Sequence, residues 1–254
     1  MKLWNNDLYN TEMHYYPAEN KKSDACIVIF AGGGYNMRCD YEDKDYALFF
    51  QKNGIDSFTV DYHVAQEALM PQPLLDARRA VRVARSLASV YGYSPDKIAV
   101  MGSSAGGHLA AMAANCTEMP EGEAGDEIDK NYSPIPDLQI LCYAVLRYGD
   151  EQIKYCYRRL TQSDDDAVNS RYACDKMVSA QTPPAFIWHT FADNHVDVRN
   201  SLDYASAMRE HNVNAEIHIF PDGNHGLAMH SDIPHVLQWR ELLLNFLRYK
   251  GWLE

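Results

Sequence analysis

The residue types able to do chemistry in this chain converge on Ser104, at the centre of Gly102-Ser103-Ser104-Ala105-Gly106. A short apolar run, residues 98–101, precedes it, and an Ala-rich stretch with helical character follows it as far as Asn115. The segment reads as strand, tight turn and helix, a G-x-S-x-G turn with Ser104 at its apex. Small residues flank the serine because so sharp a turn leaves no space for branched side chains. Ser103 does not fit the pattern, since Met101 and Ala105 would stand where the turn needs glycines. A serine hydroxyl is a poor nucleophile near neutral pH; it needs a general base, and the base needs an anionic partner to hold its tautomer. His225 offers the base, in a Gly-bounded loop directly after the apolar run 215–220, and Asp193 offers the acid just past the run 184–190. The chemistry expected of this set is nucleophilic attack with proton shuttling.

Ten histidines compete for the base position. His189 and His218 fall within strand-like runs, His108 in the helix after the serine, and His230 and His235 in the last loop and helix. Asp197 and Asp222 rival Asp193 as the acid, but Asp193 lies nearest the strand end, and Asp197 reads as a helix-start residue. Upstream, the apolar run 25–30 ends abruptly at Ala31-Gly32-Gly33-Gly34-Tyr35. Successive glycines let the backbone approach a ligand and aim N–H groups inward, as an oxyanion site requires. A phosphate-binding loop would need a Gly-Lys-Ser/Thr ending or a full G-x-G-x-x-G, and neither is present here.

These residues need a scaffold, and the hydrophobic pattern supplies one. Strands are expected at 25–30, 55–62, 98–101, 137–145, 184–190 and 215–220, and helices at 41–52, 73–91, after Ser104, 198–211 and 234–249. This alternation is the mark of an α/β fold, a mostly parallel sheet with helices on both faces. In the helix 73–91, Leu74, Ala77, Val81, Ala84 and Leu87 share one face, and the three close arginines are assigned to a solvated face. Two segments break the rhythm. Residues 116–136 are acidic and rich in Pro and Gly, and are expected to form a long surface loop near the serine turn, a candidate cap segment. Residues 147–182 are polar, with Tyr148, Tyr155, Tyr157 and Tyr172, and read as a cap or lid; the alternative is that these tyrosines cover the edge of the core. No Pro/Gly/Ser-rich linker divides the chain, so a single domain over 1–254 is expected.

Composition narrows the function classes. Apolar residues make up 46% and charged residues 23%, and no apolar run reaches the roughly 18 to 20 residues of a bilayer span, so a soluble protein is expected. The opening MKLWNNDLYN lacks the pattern of a secretory leader, which points to the cytoplasm. Six scattered cysteines contain no C-x-x-C pair and are read as free thiols, with Cys26 and Cys142 acting as small hydrophobes. No cluster of His, Cys and Asp has ligand spacing, so neither a metal nor an organic cofactor is expected. A net charge of −12 repels phosphate backbones and anionic lipid, which argues against nucleic acid or a membrane surface as partner. The oligomeric state stays open, with a homodimer as one option.

Taken together, AGGGYNMRCDYE, DYHVAQEALMPQPLLDARRAV, GSSAGGHLA, TPPAFIWHTFADNHV and FPDGNHGLAM resemble α/β-hydrolase esterases of the acetyl-esterase and acetylxylan-esterase-like group, related to the hormone-sensitive-lipase type. The likeness runs over nearly the whole chain from about Leu8. It implies a triad of Ser104, Asp193 and His225, with oxyanion donors from the backbone N–H of Gly32 or Gly33 and of Ala105. It implies a serine carboxylic-ester hydrolase for short acyl groups, chiefly acetyl, on small sugars or xylo-oligosaccharides; aromatic faces in the Tyr-rich segment would suit sugar rings. A formamidase or other amidase is the second reading, because one triad serves both reactions. A binding scaffold that kept the fold is the third, and the complete triad argues against it. Two departures stand out: Ala31 replaces the group's usual Pro or His before the glycines, and Asp197 stands where a Pro often follows the valine. Neither removes a catalytic atom, and the first leaves open which glycine faces inward.

Overall fold

Strands and helices alternate from β1 (Met13–Tyr16), β2 (Cys26–Phe30), α1 (Lys44–Lys52), β3 (Asp56–Val60), α2 (Gln72–Ser86) and α3 (Ala88–Tyr91) to β4 (Ile98–Ser103) and α4 (Ser104–Asn115). The second half adds α5 (Glu127–Asn131), β5 (Leu138–Cys142), α6 (Lys154–Thr161), α7 (Asp166–Asn169), β6 (Ala185–Thr190), α8 (Arg199–Glu210), β7 (Ala215–Phe220) and α9 (Trp239–Tyr249). The structure is a computed structural model describing residues 1–4, 11–116 and 125–254. Leu8 and part of the opening stretch, and residues 117–124 of the expected loop, lie outside the described residues.

The strands form one 7-stranded sheet in the order β1-β3-β2-β4-β5-β6-β7. All neighbours are parallel except the edge pair β1 and β3. Alternation along each strand builds two cores. Val28, Phe30 and Val100 face α2, α4 and α8, whereas Ile27, Ile29, Ala99 and Met101 face α1 and α9. Parallel strands place every C-terminal end on one edge of the sheet, so the loops after β2, β4, β6 and β7 open side by side.

Three expectations are corrected. The arginines of α2 are not solvated: Arg78, Arg79, Arg82 and Arg85 are each less than a tenth exposed. Arg79 makes a two-point contact with Asp126 at 2.7 Å and reaches Asp129 at 2.8 Å. Arg82 reaches the Tyr132 carbonyl at 3.0 Å, and Arg85 the Ile135 carbonyl at 2.7 Å. The segment expected as a plain loop over 116–136 therefore contains α5 and wraps the arginine face of α2. The Asp126 side chain caps that helix by accepting from the Ile128 and Asp129 N–H groups. The edge strand β1 was not foreseen, because MHYY is too short and too mixed to signal a strand.

Candidate active site

Ser104 opens α4 with φ +51°, a left-handed backbone that the turn between β4 and α4 imposes. The chain crosses itself closely there: a Cβ at Gly102 would meet the Gly106 carbonyl at 2.2 Å, and one at Gly106 the Phe30 carbonyl at 2.1 Å. The pattern of glycines is thus a packing requirement, and it presses the serine against the glycine loop after β2.

His225 Nε2 lies 2.9 Å from Ser104 Oγ, and His225 Nδ1 lies 2.7 Å from Asp193 Oδ2. With the carboxylate accepting from Nδ1–H, the lone pair of Nε2 faces the serine hydroxyl, the arrangement in which an imidazole can take that proton. Asp197 and Asp222 are not brought to this histidine. Asp197 accepts from the Arg199 N–H at 2.8 Å, at the start of α8.

Asp193 carries more support than the sequence indicated. Its Oδ1 accepts the N–H groups of His195 and Val196, both at 2.9 Å. The buried His189 lies with Nε2 at 3.2 Å from Asp193 Oδ2 and 2.9 Å from the Val196 carbonyl, while its Nδ1 meets Ser201 Oγ at 2.8 Å. Two acceptors at Nε2 place the proton there, so His189 donates toward the carboxylate and accepts from the serine. Burial alone would raise the Asp193 carboxyl, but the hydrogen bonds from His189 and His225 hold it well below the usual carboxylate range.

The glycine loop has one N–H already committed. Gly32 N–H donates to Glu42 Oε2 at 2.9 Å, so of the two glycines considered from the sequence only Gly33 leaves its N–H free of that bond. Glu42 is 2% exposed, and its Oε1 accepts from Tyr143 OH at 2.7 Å. The Tyr143 hydroxyl in turn accepts from Ala228 N–H at 3.1 Å, in the loop that carries His225. Burial pushes the Glu42 carboxyl up, with Tyr143, His225 and Gly32 partly offsetting it. Nothing in its residue type marks Glu42 as buried; its place shortly after the glycines is the one signal.

Ser104 and His225 border a cavity of 130 Å³ whose other walls include Gly33, Cys39, Tyr41, Tyr155 and His195. His195 was not singled out by sequence; its ring centroid lies 5.1 Å from that of His225, and burial followed by the His225 charge pushes its imidazole down. Of the four tyrosines noted after β5, Tyr155 faces this cavity while Tyr157 is buried in a small cluster with Val145, Ile153 and Val196. Among the described residues, Glu12, His14 and Asp61 are grouped closely enough to hold a metal. They sit at the β1 edge, apart from the cavity walls, and Asp61 is already paired with His14 at 2.9 Å and Arg38 at 3.4 Å.

Comparison with known proteins shows the family of the chain. The chain overlays on the crystal structure of an acetyl ester-xyloside bifunctional hydrolase from Caldicellulosiruptor lactoaceticus with a TM-score of 0.90 and 33% identity, covering 99% of this chain and 96% of that one. It is 31% identical over 91% of its length to endo-1,4-beta-xylanase B of Butyrivibrio fibrisolvens, and 29% identical over 81% to an acetylxylan esterase of Xylanibacter ruminicola. It spans only 38% and 42% of those two proteins. Residues 14–208 match the BD-FAE family model, and with the sheet order and the serine turn described above, the chain belongs to that family of α/β-hydrolases.

Proposed function

We propose that this protein is a serine carboxylic-ester hydrolase that removes short acyl groups, chiefly acetyl, from sugars or xylo-oligosaccharides. The observation that carries the reading is the hydrogen-bonded chain from Ser104 through His225 to Asp193 at the floor of a small cavity. Ser104 Oγ attacks the ester carbonyl as His225 Nε2 takes its proton, and the Asp193 carboxylate stabilises the imidazolium that forms. The oxyanion is received by the N–H groups of Gly33 and Ala105, with Gly32 N–H held away by Glu42. His225 then protonates the leaving alcohol, and water attacks the acyl-enzyme by the reverse path. The α6–α7 region acts as a cap through Tyr155, all within one domain. The cavity volume, well below the roughly 300–1,000 Å³ of pockets for drug-sized ligands, suits a small acyl group. The names of the relatives support acetylated xylose-based sugars as the alcohol, and the six cysteines, none of them in a disulfide, support a reducing, cytoplasmic setting.

Labelling with a fluorophosphonate probe and mapping by mass spectrometry should place the adduct on Ser104. The test substrates are p-nitrophenyl acyl esters, acetylated xylo-oligosaccharides and N-formylkynurenine, run beside Ser104→Ala. Ester turnover should fall on the order of 10⁴-fold or more in Ser104→Ala and strongly in Asp193→Asn, in which the amide favours the wrong tautomer. Labelling at another serine, or a preference for the formamide, would replace this reading.

A further inference from the structure

Arg159 on α6 stands apart from those arginines of this acidic chain that pair with a carboxylate. Arg79, Arg199 and Arg248 each meet a carboxylate. Arg159 has no acidic partner among the described residues, and its Nε is buried without any hydrogen-bond acceptor. A partly buried cation at a cavity wall with no carboxylate beside it is readily explained when a ligand supplies the counter-charge.

Arg159 lines a cleft of 410 Å³ between α6 and the turn at Ala65–Glu67, together with Gln66, Tyr155, Arg158 and Gln162. Arg158 is held by Asp164 at 3.0 Å, which leaves Arg159 as the cation of this cleft with no carboxylate partner among the described residues. Tyr155 is common to this cleft and to the cavity at Ser104. Its hydroxyl lies 3.3 Å from His195 Nε2, and its ring sits so near Gly34 that a Cβ there would meet it at 2.5 Å.

We propose that the cleft is a subsite for the alcohol half of the substrate, and that Arg159 receives a carboxylate there, as carried by a uronic-acid sugar. The planar fork of a guanidinium matches a carboxylate in two-point geometry, and the carboxamides of Gln66 and Gln162 are suited to neighbouring hydroxyls. The proposal rests on the esterase reading above and adds the charge of the substrate to it.

The test compares two mono-acetylated sugars that differ at one position: a methyl glucuronoside, and the methyl glucoside acetylated at the same oxygen. At low ionic strength the wild-type kcat/KM should favour the uronoside by at least roughly tenfold, and the preference should shrink as salt screens the pair. Arg159→Gln should bring the ratio to about one, and Arg159→Lys should keep part of it, because the charge remains and the fork is lost. Using the ratio within one enzyme cancels any general loss of folding or catalysis. An active wild type with a ratio of one or less, or a preference that survives in Arg159→Gln, overturns the subsite alone. A folded wild type inert toward both sugars and toward p-nitrophenyl acetate overturns the esterase reading, and the subsite with it.

Discussion

Ser104 and Glu42 show how single side chains set this site. The left-handed backbone at Ser104 is unfavourable for a residue with a Cβ, and it persists because β4, α4 and the glycine loop are packed too closely to relax. Glu42 braces the other side of the cavity: one carboxylate oxygen holds the glycine loop through Gly32, and the other holds the His225 loop through Tyr143. Glu42→Gln removes the charge from both hydrogen bonds and makes the Tyr143 hydroxyl reverse its role if the amide oxygen stays on Gly32 N–H, so the loop should lose part of its aim. The expected result is a drop of about 10- to 100-fold in kcat with a small change in KM, less than the full loss of an oxyanion donor. Because burial raises this carboxyl above its ordinary value, the ionised form costs stability as pH rises past that value, and the variant removes this cost. A melting temperature near or above that of the wild type, beside reduced kcat, is therefore predicted; a large fall in both would make Glu42 a purely structural residue.

Between elements, His108 is the joint. It projects from α4, meets Tyr35 OH of the glycine loop at 2.7 Å through Nδ1, and meets the Tyr172 carbonyl at 2.7 Å through Nε2. The carbonyl requires Nε2–H, so Nδ1 accepts from the tyrosine and the ring is neutral. Burial pushes its imidazole down to about 4 from 6.5. The unfolded chain binds this proton from about pH 6.5 downward while the folded protein refuses it until about pH 4, so stability is present above that window and lost as pH falls through it. The loss amounts to roughly 3 kcal/mol. His108→Gln can donate to Tyr172 and accept from Tyr35 without titrating. Urea midpoints measured between pH 7.5 and pH 4.5 should therefore fall more steeply for the wild type than for the variant, and equal slopes would contradict this account.

At the scale of the whole molecule, the parallel order of the sheet delivers four loops to one edge and leaves between them a cavity of only 130 Å³. Its size is set by where the strands end and by Tyr155 from the region after β5, so no single residue controls it. Acyl length is the measurable consequence: across p-nitrophenyl esters, kcat/KM should be highest for acetate and decline at least tenfold by hexanoate. A profile that rises with chain length would mean that α6 moves away from the site in solution.

Much of the site was legible in residue types because its constraints are local. A sharp strand-to-helix turn demands glycines beside the serine, and parallel strands place successive loop residues on one edge, so Ser104, Asp193 and His225 could be paired before their distances were known. The α/β alternation was legible for the same reason, being written in hydrophobic period. The arginines of α2 were misread because an amphipathic pattern assumes that the polar side meets water, whereas Arg79 finds Asp126 47 positions downstream. Glu42 and His189 belong to the same class. A carboxylate and a strand histidine look ordinary in sequence, and only tertiary packing, which excludes water and brings distant polar atoms within hydrogen-bond reach, turned them toward the serine site.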